Sequence, residues 1–281
     1  LPLRHDYNRV TKYMSTLRAD TNALRRFMYK LVVFLHKRGQ EIINLYLNAD
    51  EAEMERHRYY NRQSNGYDVY PKMFEVALKL TSPDNDLYRI LLADKHYFAG
   101  VAARLKVPTL KDPKKLLDIA MREQLIAAKM YPDAAYIHTE LGFLFMYKRD
   151  LKNAEIHFFK ASQLAQDWAI PWIGLAELYR IAKANKESLE AGEKAKALQP
   201  YLQDIYINNG IVYQQKGNLL MAEELYRKSI KMNSRNYLPY KGLGNIYLNN
   251  TQNNQADPFY YEADDGIRDY GEDETGGKPR K

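Results

Sequence analysis

The 281-residue sequence predicts an all-α fold, a solenoid of stacked helix–turn–helix units. Three observations carry that prediction. Small residues recur every 34 positions, at Gly142, Ala176, Gly210 and Gly244. Large side chains flank them at fixed offsets: His138, Trp172, Tyr206 and Tyr240 stand four before, and Tyr179, Tyr213 and Tyr247 stand three after the last three. A second segment repeats in the same register. Ala154, Ser188, Ala222 and Ala256 lie twelve residues downstream, Phe158, Gly192, Tyr226 and Tyr260 sixteen, and Ala161, Ala195, Ser229 and Ala263 nineteen. Two antiparallel helices that approach closely need Gly, Ala or Ser at their contact points, while large side chains fill the gaps between neighbours. Pro132 and Pro200 stand where a second helix must stop, since proline cannot continue it. Asp150, Lys216-Gly217-Asn218 and Asn249-Asn250 mark the turns inside units. No unit buries its apolar face alone, so several must stack.

The framework large–x–x–L–G–x–x–Y…A–x–x–x–F–x–x–A…P resembles the tetratricopeptide repeat, a helix–turn–helix unit of 34 residues. The resemblance implies a right-handed superhelical solenoid whose first helices line a concave face. It covers four units, 135–168, 169–202, 203–236 and 237–263, and weakens towards both ends, as capped stacks do.

The remaining elements follow in order. Residues 1–83 read as an irregular N-terminal helical region, with helices across 7–47. Within it, Asp20-Thr21-Asn22 opens a helix over 21–38 that Gly39 closes. Phe74, Ala77 and Pro83 hint at a degenerate unit over 51–83. Residues 84–134 read as a degenerate helix pair. Its first helix, 85–105, carries His96, Ala99, Gly100 and Ala103, and its second, 114–132, carries Ala120, Gln124, Ala127 and Pro132. The loop between them, Lys106 to Pro113, is about eight residues longer than the standard. In the last unit Asn249–Gln255 is polar and Asn-rich, and Pro258 confines its second helix to a short or frayed form. The acidic tail 264–281 has almost no apolar residue after Ile267 and reads as disordered.

Composition fits a soluble helical protein: 46% of residues are apolar, yet mean hydropathy is −0.59. The most apolar run, Phe27 to Leu35, contains Lys30 and falls well short of the ~20 residues a spanning helix needs. Absence of cysteine excludes disulfides and thiolate chemistry, and fits a cytoplasmic, periplasmic or secreted setting alike. The chain begins Leu-Pro-Leu without an initiator Met, which reads as a processed product or a fragment of a larger protein.

Charge is uneven. Residues 1–50 hold nine Lys/Arg against four Asp/Glu, while 257–281 hold eight acidic against four basic residues. Arg18, Arg25, Arg26, Lys30, Lys37 and Arg38 could touch nucleic acid or an anionic membrane, but a solvated helix face is the plainer reading. No basic stripe interleaves with stacking aromatics, which argues against single-strand binding. Tyr59-Tyr60, Tyr67 and Tyr70, around Ser64-Asn65-Gly66, read as packing of the first helices.

Catalytic signals are nearly absent. The six histidines, His5, His36, His57, His96, His138 and His157, form no HExxH motif. Gly242-Leu243-Gly244 follows no strand and is not a dinucleotide fingerprint. Glu223-Glu224 and Asp264-Asp265 fall on a surface helix and in the tail. No enzyme, metal or cofactor is expected within these residues.

Binding remains, and the resemblance says where. In the tetratricopeptide family, positions 2, 5, 9 and 12 of each unit face the groove. Carried over, they are Tyr136, Thr139, Phe143 and Met146 in the first unit, and Ile170, Ile173, Glu177 and Arg180 in the second. The third offers Asp204, Ile207, Ile211 and Gln214, and the fourth Leu238, Lys241, Asn245 and Leu248. An apolar groove of this kind grips an extended peptide or a partner helix. The family's clamp for a C-terminal carboxylate is not assembled. Lys241 and Asn245 match its first pair but lie in the last unit, and Asn208 matches its third place one unit too early. The expected function is a non-catalytic protein-interaction scaffold. The alternative is a regulatory segment of a larger protein or secretion-type assembly, with the groove filled by its own chain. Self-association through the array ends or the groove is compatible with either.

Overall fold

Why glycine recurs is clear from what its missing side chain would strike. The computed structural model describes residues 21–58, 66–107 and 112–249, which form twelve α-helices and no strand. They fall into two compact units that divide between Trp168 and Ala169.

The N-terminal unit contains α1 (Thr21–Leu47), α2 (Glu51–Arg58), α3 (Val69–Lys79), α4 (Asp86–Lys106), α5 (Lys114–Met130), α6 (Ala135–Tyr147) and α7 (Leu151–Leu164). Its core joins Leu31, Ile42 and Ile43 of α1 to Tyr70, Phe74, Phe98, Ala120, Ile137 and Leu141. The aromatic rings interlock: Tyr70 stacks on Phe98 at 4.5 Å and Phe74 on Phe98 at 5.7 Å. Tyr67 and Tyr70 both lie in this core, whereas Tyr59 and Tyr60 lie outside the described residues.

Gly39 does not end α1. The helix runs through it to Leu47, and the position is glycine because a β-carbon there would overlap the buried ring of Phe74. The glycine is a contact point for α3 and supplies no stop. The same device recurs between α6 and α7, where a β-carbon on Gly142 would sit 2.6 Å from the Phe158 ring. Between α4 and α5 the partner of Gly100 is Gln124, whose amide Nε2 donates to the Tyr97 carbonyl at 2.9 Å.

The C-terminal unit contains α8 (Ile170–Ile181), α9 (Asn185–Leu198), α10 (Gln203–Gln215), α11 (Leu219–Met232) and α12 (Tyr237–Asn249). Tyr226 of α11 lies between Gly210 of α10, whose β-carbon would come within 2.7 Å of the ring, and Gly242 of α12. Ser188 of α9 donates its hydroxyl to the Ala176 carbonyl of α8 at 2.7 Å. Gln203 of α10 holds the next turn, donating to the Ser229 and Asn233 carbonyls at 3.0 and 2.8 Å and accepting from Asn236 at 2.9 Å.

Turns repeat as faithfully as helices. Asp150 and Asn218 cap α7 and α11, each accepting a backbone N–H at 3.2 Å from Asn153 and Met221. Just before them, Arg149, Lys183 and Gly217 occupy one register position with φ of 62°, 61° and 77°. This left-handed conformation suits Gly and strains a residue with a β-carbon. The second helix of the last unit, with Pro258, and the acidic tail lie outside the described residues.

Lys183→Gly should therefore stabilise the C-terminal unit by about 0.5 kcal/mol, the relieved strain exceeding glycine's extra chain entropy, and Gly217→Ala should cost about 1 kcal/mol. Urea unfolding of the two variants beside the parent measures both, and opposite signs are expected.

Candidate binding face

The first-helix positions expected to line a groove meet different surroundings in the two units. In the N-terminal unit the face of α6 is largely consumed by the chain itself. Thr139 is fully buried and bonds back to the Ala135 carbonyl at 3.0 Å. Tyr136 packs edge-on against Tyr97 at 4.7 Å. Phe143 meets Phe158 edge-on at 5.0 Å and carries the Arg104 guanidinium over its ring at 5.6 Å. Met146 is half-buried.

Beside these residues lies a polar cluster for which the motif search had no template. Arg104 of α4 donates through Nε and a terminal nitrogen to both carboxylate oxygens of Glu140, at 2.5 and 3.2 Å, and through that terminal nitrogen to the His57 carbonyl at 3.3 Å. His57 of α2 places Nδ1 3.4 Å from Glu140 and stacks face to face on Tyr46 at 3.6 Å. The Tyr67 hydroxyl bridges His57 and Glu53, and Glu53 in turn pairs with Arg56 at 2.6 Å. Trp168 closes the assembly by donating its indole N–H to the Tyr46 carbonyl at 3.1 Å. Burial alone would raise the Glu140 carboxyl, but Arg104, helped by His57, outweighs it and holds it at about 2. Burial lowers the basicity of the His57 ring, against the opposing pull of Glu140. Repeat register was the available signal: Glu140 shares its column with Gly174, Asn208 and Gly242, and is the sole charged residue there.

Register also explains His138. Its Nε2 meets the Pro132 carbonyl at 2.8 Å, as the Tyr206 hydroxyl, two units on, donates to the Pro200 carbonyl at 2.7 Å. That bond leaves the other ring nitrogen of His138 to face His157 Nδ1 at 2.9 Å. Burial first, and the neighbouring His138 second, depress His157 to about 4. A pair is too few for a metal centre, and among the described residues no group of three or more ligating side chains forms. A third buried carboxylate, Asp94, accepts from Gln40 at 3.0 Å and lies 3.4 Å from His36, tying α4 to α1.

In the C-terminal unit, Ile170, Ile173 and Ile207 are buried side chains that present almost no surface. Polar and partly open positions remain. Arg180 donates through Nε to Asn208 Oδ1 at 2.7 Å and lies 3.7 Å from the Glu177 carboxylate. The Asn208 amide nitrogen is buried without a hydrogen-bond partner among the described residues. Asp204 and Ile211 are half-buried, Gln214 accepts from the Tyr226 hydroxyl at 2.8 Å, and Lys241 and Asn245 are exposed.

Comparison with known proteins bears on the fold. The Pseudomonas aeruginosa pilF structure superposes with a TM-score of 0.54 at 18% identity, over 68% of this chain and 79% of its own. The Cut9–Hcn1 hetero-tetramer of the APC/C does so with a TM-score of 0.53 at 17% identity, over 93% of this chain and 42% of its own. Helix pairs of this geometry, repeating every 34 residues, decide the fold. It is a tetratricopeptide-repeat fold. No family model matches the chain. Anaphase-promoting complex subunit 3 of Schizosaccharomyces pombe (strain 972) is 28% identical over 92 residues, 33% of this chain. The matched stretch spans 14% of that protein's length.

Glu140→Gln should destabilise the N-terminal unit by about 3 kcal/mol, because Arg104 is left buried without its counter-charge. Acid should act in the same direction. The folded values of His57, His138 and His157 lie below the unfolded value, so their contribution is complete above about pH 6.5 and is lost as pH falls below it, that of His157 towards about 4. Glu140 adds a further loss between about pH 4 and pH 2. Urea midpoints across this range should decline in those two stages. His157→Asn should remove about 1 kcal/mol of the first, less than the full shift because the ring is only half-buried.

Proposed function

We propose that this chain is a non-catalytic protein-interaction scaffold, and that the first-helix face of its C-terminal unit receives an extended peptide or a helix. The carrying observation is the Arg180–Asn208 pair, where a buried amide N–H is left without a partner beside the half-open side chains of Glu177 and Ile211. A buried donor without an acceptor is costly, and a backbone carbonyl of a ligand would satisfy it. Asp204, Gln214, Lys241 and Asn245 extend the face with groups that set the polarity of what it accepts. Contacts of this type support roughly micromolar affinity, near −8 kcal/mol, from a few anchors. The Cut9–Hcn1 hetero-tetramer provides a precedent for this fold within a protein assembly.

A second reading applies to the N-terminal unit, where the chain fills its own face. Arg104 over Phe143, with His57 and Arg104 on Glu140, supports a self-occupied groove that serves as structure and not as a binding site.

Peptide display on the purified chain tests the first reading. Selected peptides should bind with micromolar Kd, and Arg180→Ala and Ile211→Asp should each weaken them about tenfold with helix content unchanged, while exposed Leu220→Ser leaves them intact. Retention of full affinity by both face variants would remove this face from the function.

A further inference from the structure

Helix α1 carries an outer face that a solvated helix does not need. Its inner face buries Leu31, Val32, Leu35, Ile42 and Ile43. On the opposite side Tyr29 is 67% exposed, Phe34 50%, and Val33 and Leu45 39% each. The cations of the same face are ordered among them. Arg26, Lys30 and Lys37 follow one another at spacings of four and seven residues, which places them in a single line along the helix. Tyr29 and Val33, four apart, flank that line on one side, and Phe34 and Leu45, three turns apart, flank it on the other.

The charge is one-sided. α1 contains Arg25, Arg26, Lys30, Lys37 and Arg38 against a single carboxylate, Glu41, and that carboxylate is already paired with Arg38 at 2.8 Å. Among the described residues, no carboxylate pairs with Lys30, Lys37 or Arg25. A row of uncompensated cations edged by half-exposed aromatic and aliphatic side chains matches a surface with phosphates in front and hydrocarbon behind. We infer that the outer face of α1 binds the surface of an anionic lipid bilayer. The Lys and Arg heads meet lipid phosphates, and the Tyr29 and Phe34 rings enter the interfacial layer. Val33 and Leu45 favour lipid over nucleic acid, which offers such aliphatic side chains little to contact. The contact is peripheral, since no described helix is long and apolar enough to cross a membrane.

Flotation of the full chain with vesicles decides the matter. Vesicles of phosphatidylcholine with about a third phosphatidylserine should bind it at least about tenfold more tightly than phosphatidylcholine alone, and high salt should abolish the difference. Lys30→Glu/Lys37→Glu should eliminate anionic-vesicle binding. Tyr29→Ser/Phe34→Ser should weaken it while keeping its salt dependence, and both pairs lie on exposed positions that leave the core untouched. Three outcomes would overturn the assignment: equal or absent binding to the two vesicle types, binding that survives the double charge reversal, or single-stranded DNA captured by the same face and not displaced by anionic vesicles.

Discussion

A ring laid on bare backbone is the contact on which both units depend. Helix axes in close packing stand about 8–10 Å apart, and the nearest approach is set by whatever side chain lies between them. At Gly142–Phe158 and Gly210–Tyr226 the first helix contributes no side chain at all, so the whole thickness of the contact is one aromatic ring. Gly39–Phe74 applies the same arrangement outside the regular repeats. Once the spacing is fixed, shorter-range bonds become possible. Between α10 and α11, Gln203 spans two carbonyls of the following turn, while α8 and α9, with Ala176 in the glycine's place, are joined by the Ser188 hydroxyl on the Ala176 carbonyl.

The two units use polar groups differently. In the N-terminal unit, Arg104, Glu140, His57, Glu53 and Tyr67 form a network at the meeting of α2, α4 and α6. A buried ion pair of this kind adds little net stability over an apolar core, but its bidentate geometry admits one arrangement of the helices that carry it. It thereby defines where the irregular N-terminal helices attach. The C-terminal unit buries uncharged polar groups, Ser188, Gln203, Asn208 and Ser229, and leaves its charged first-helix residues Glu177, Arg180 and Asp204 half-buried and Lys241 exposed.

The sequence disclosed the repeat because the helix pair is a local object. Its contact residues return at a fixed interval, and Gly142, Gly210, Phe158 and Tyr226 could be assigned by register alone. Gly39 was misread because glycine after an apolar helical run is also the usual stop signal, and the ring that explains it belongs to Phe74, 35 residues away. Thr139, Ile170, Ile173 and Ile207 were expected on an open face. Their two columns are not needed for stacking within one unit, and periodicity carries no information about what else comes to cover them. Glu140 escaped notice for the opposite reason. Its column was in view, but one charge among Gly174, Asn208 and Gly242 has no meaning until Arg104 and His57 are seen beside it. His138 and His157 sit on successive helices, and only the fold brings their rings to 2.9 Å.

Tyr226, held between the backbones of α10 and α12, has a bearing on how this end of the chain comes apart. If α12 frays, one side of the ring loses its wall while Gly210 still supports the other. Helix α12, the last among the described residues, can therefore be shed without dissolving the pair beneath it, at the cost of baring one face of an aromatic ring. Among the described residues, opening would proceed inward from α12, one helix at a time, in the manner of a zip with a large tooth. Amide exchange should then be graded along this unit, fastest in α12 and slowest where a helix is covered on both sides.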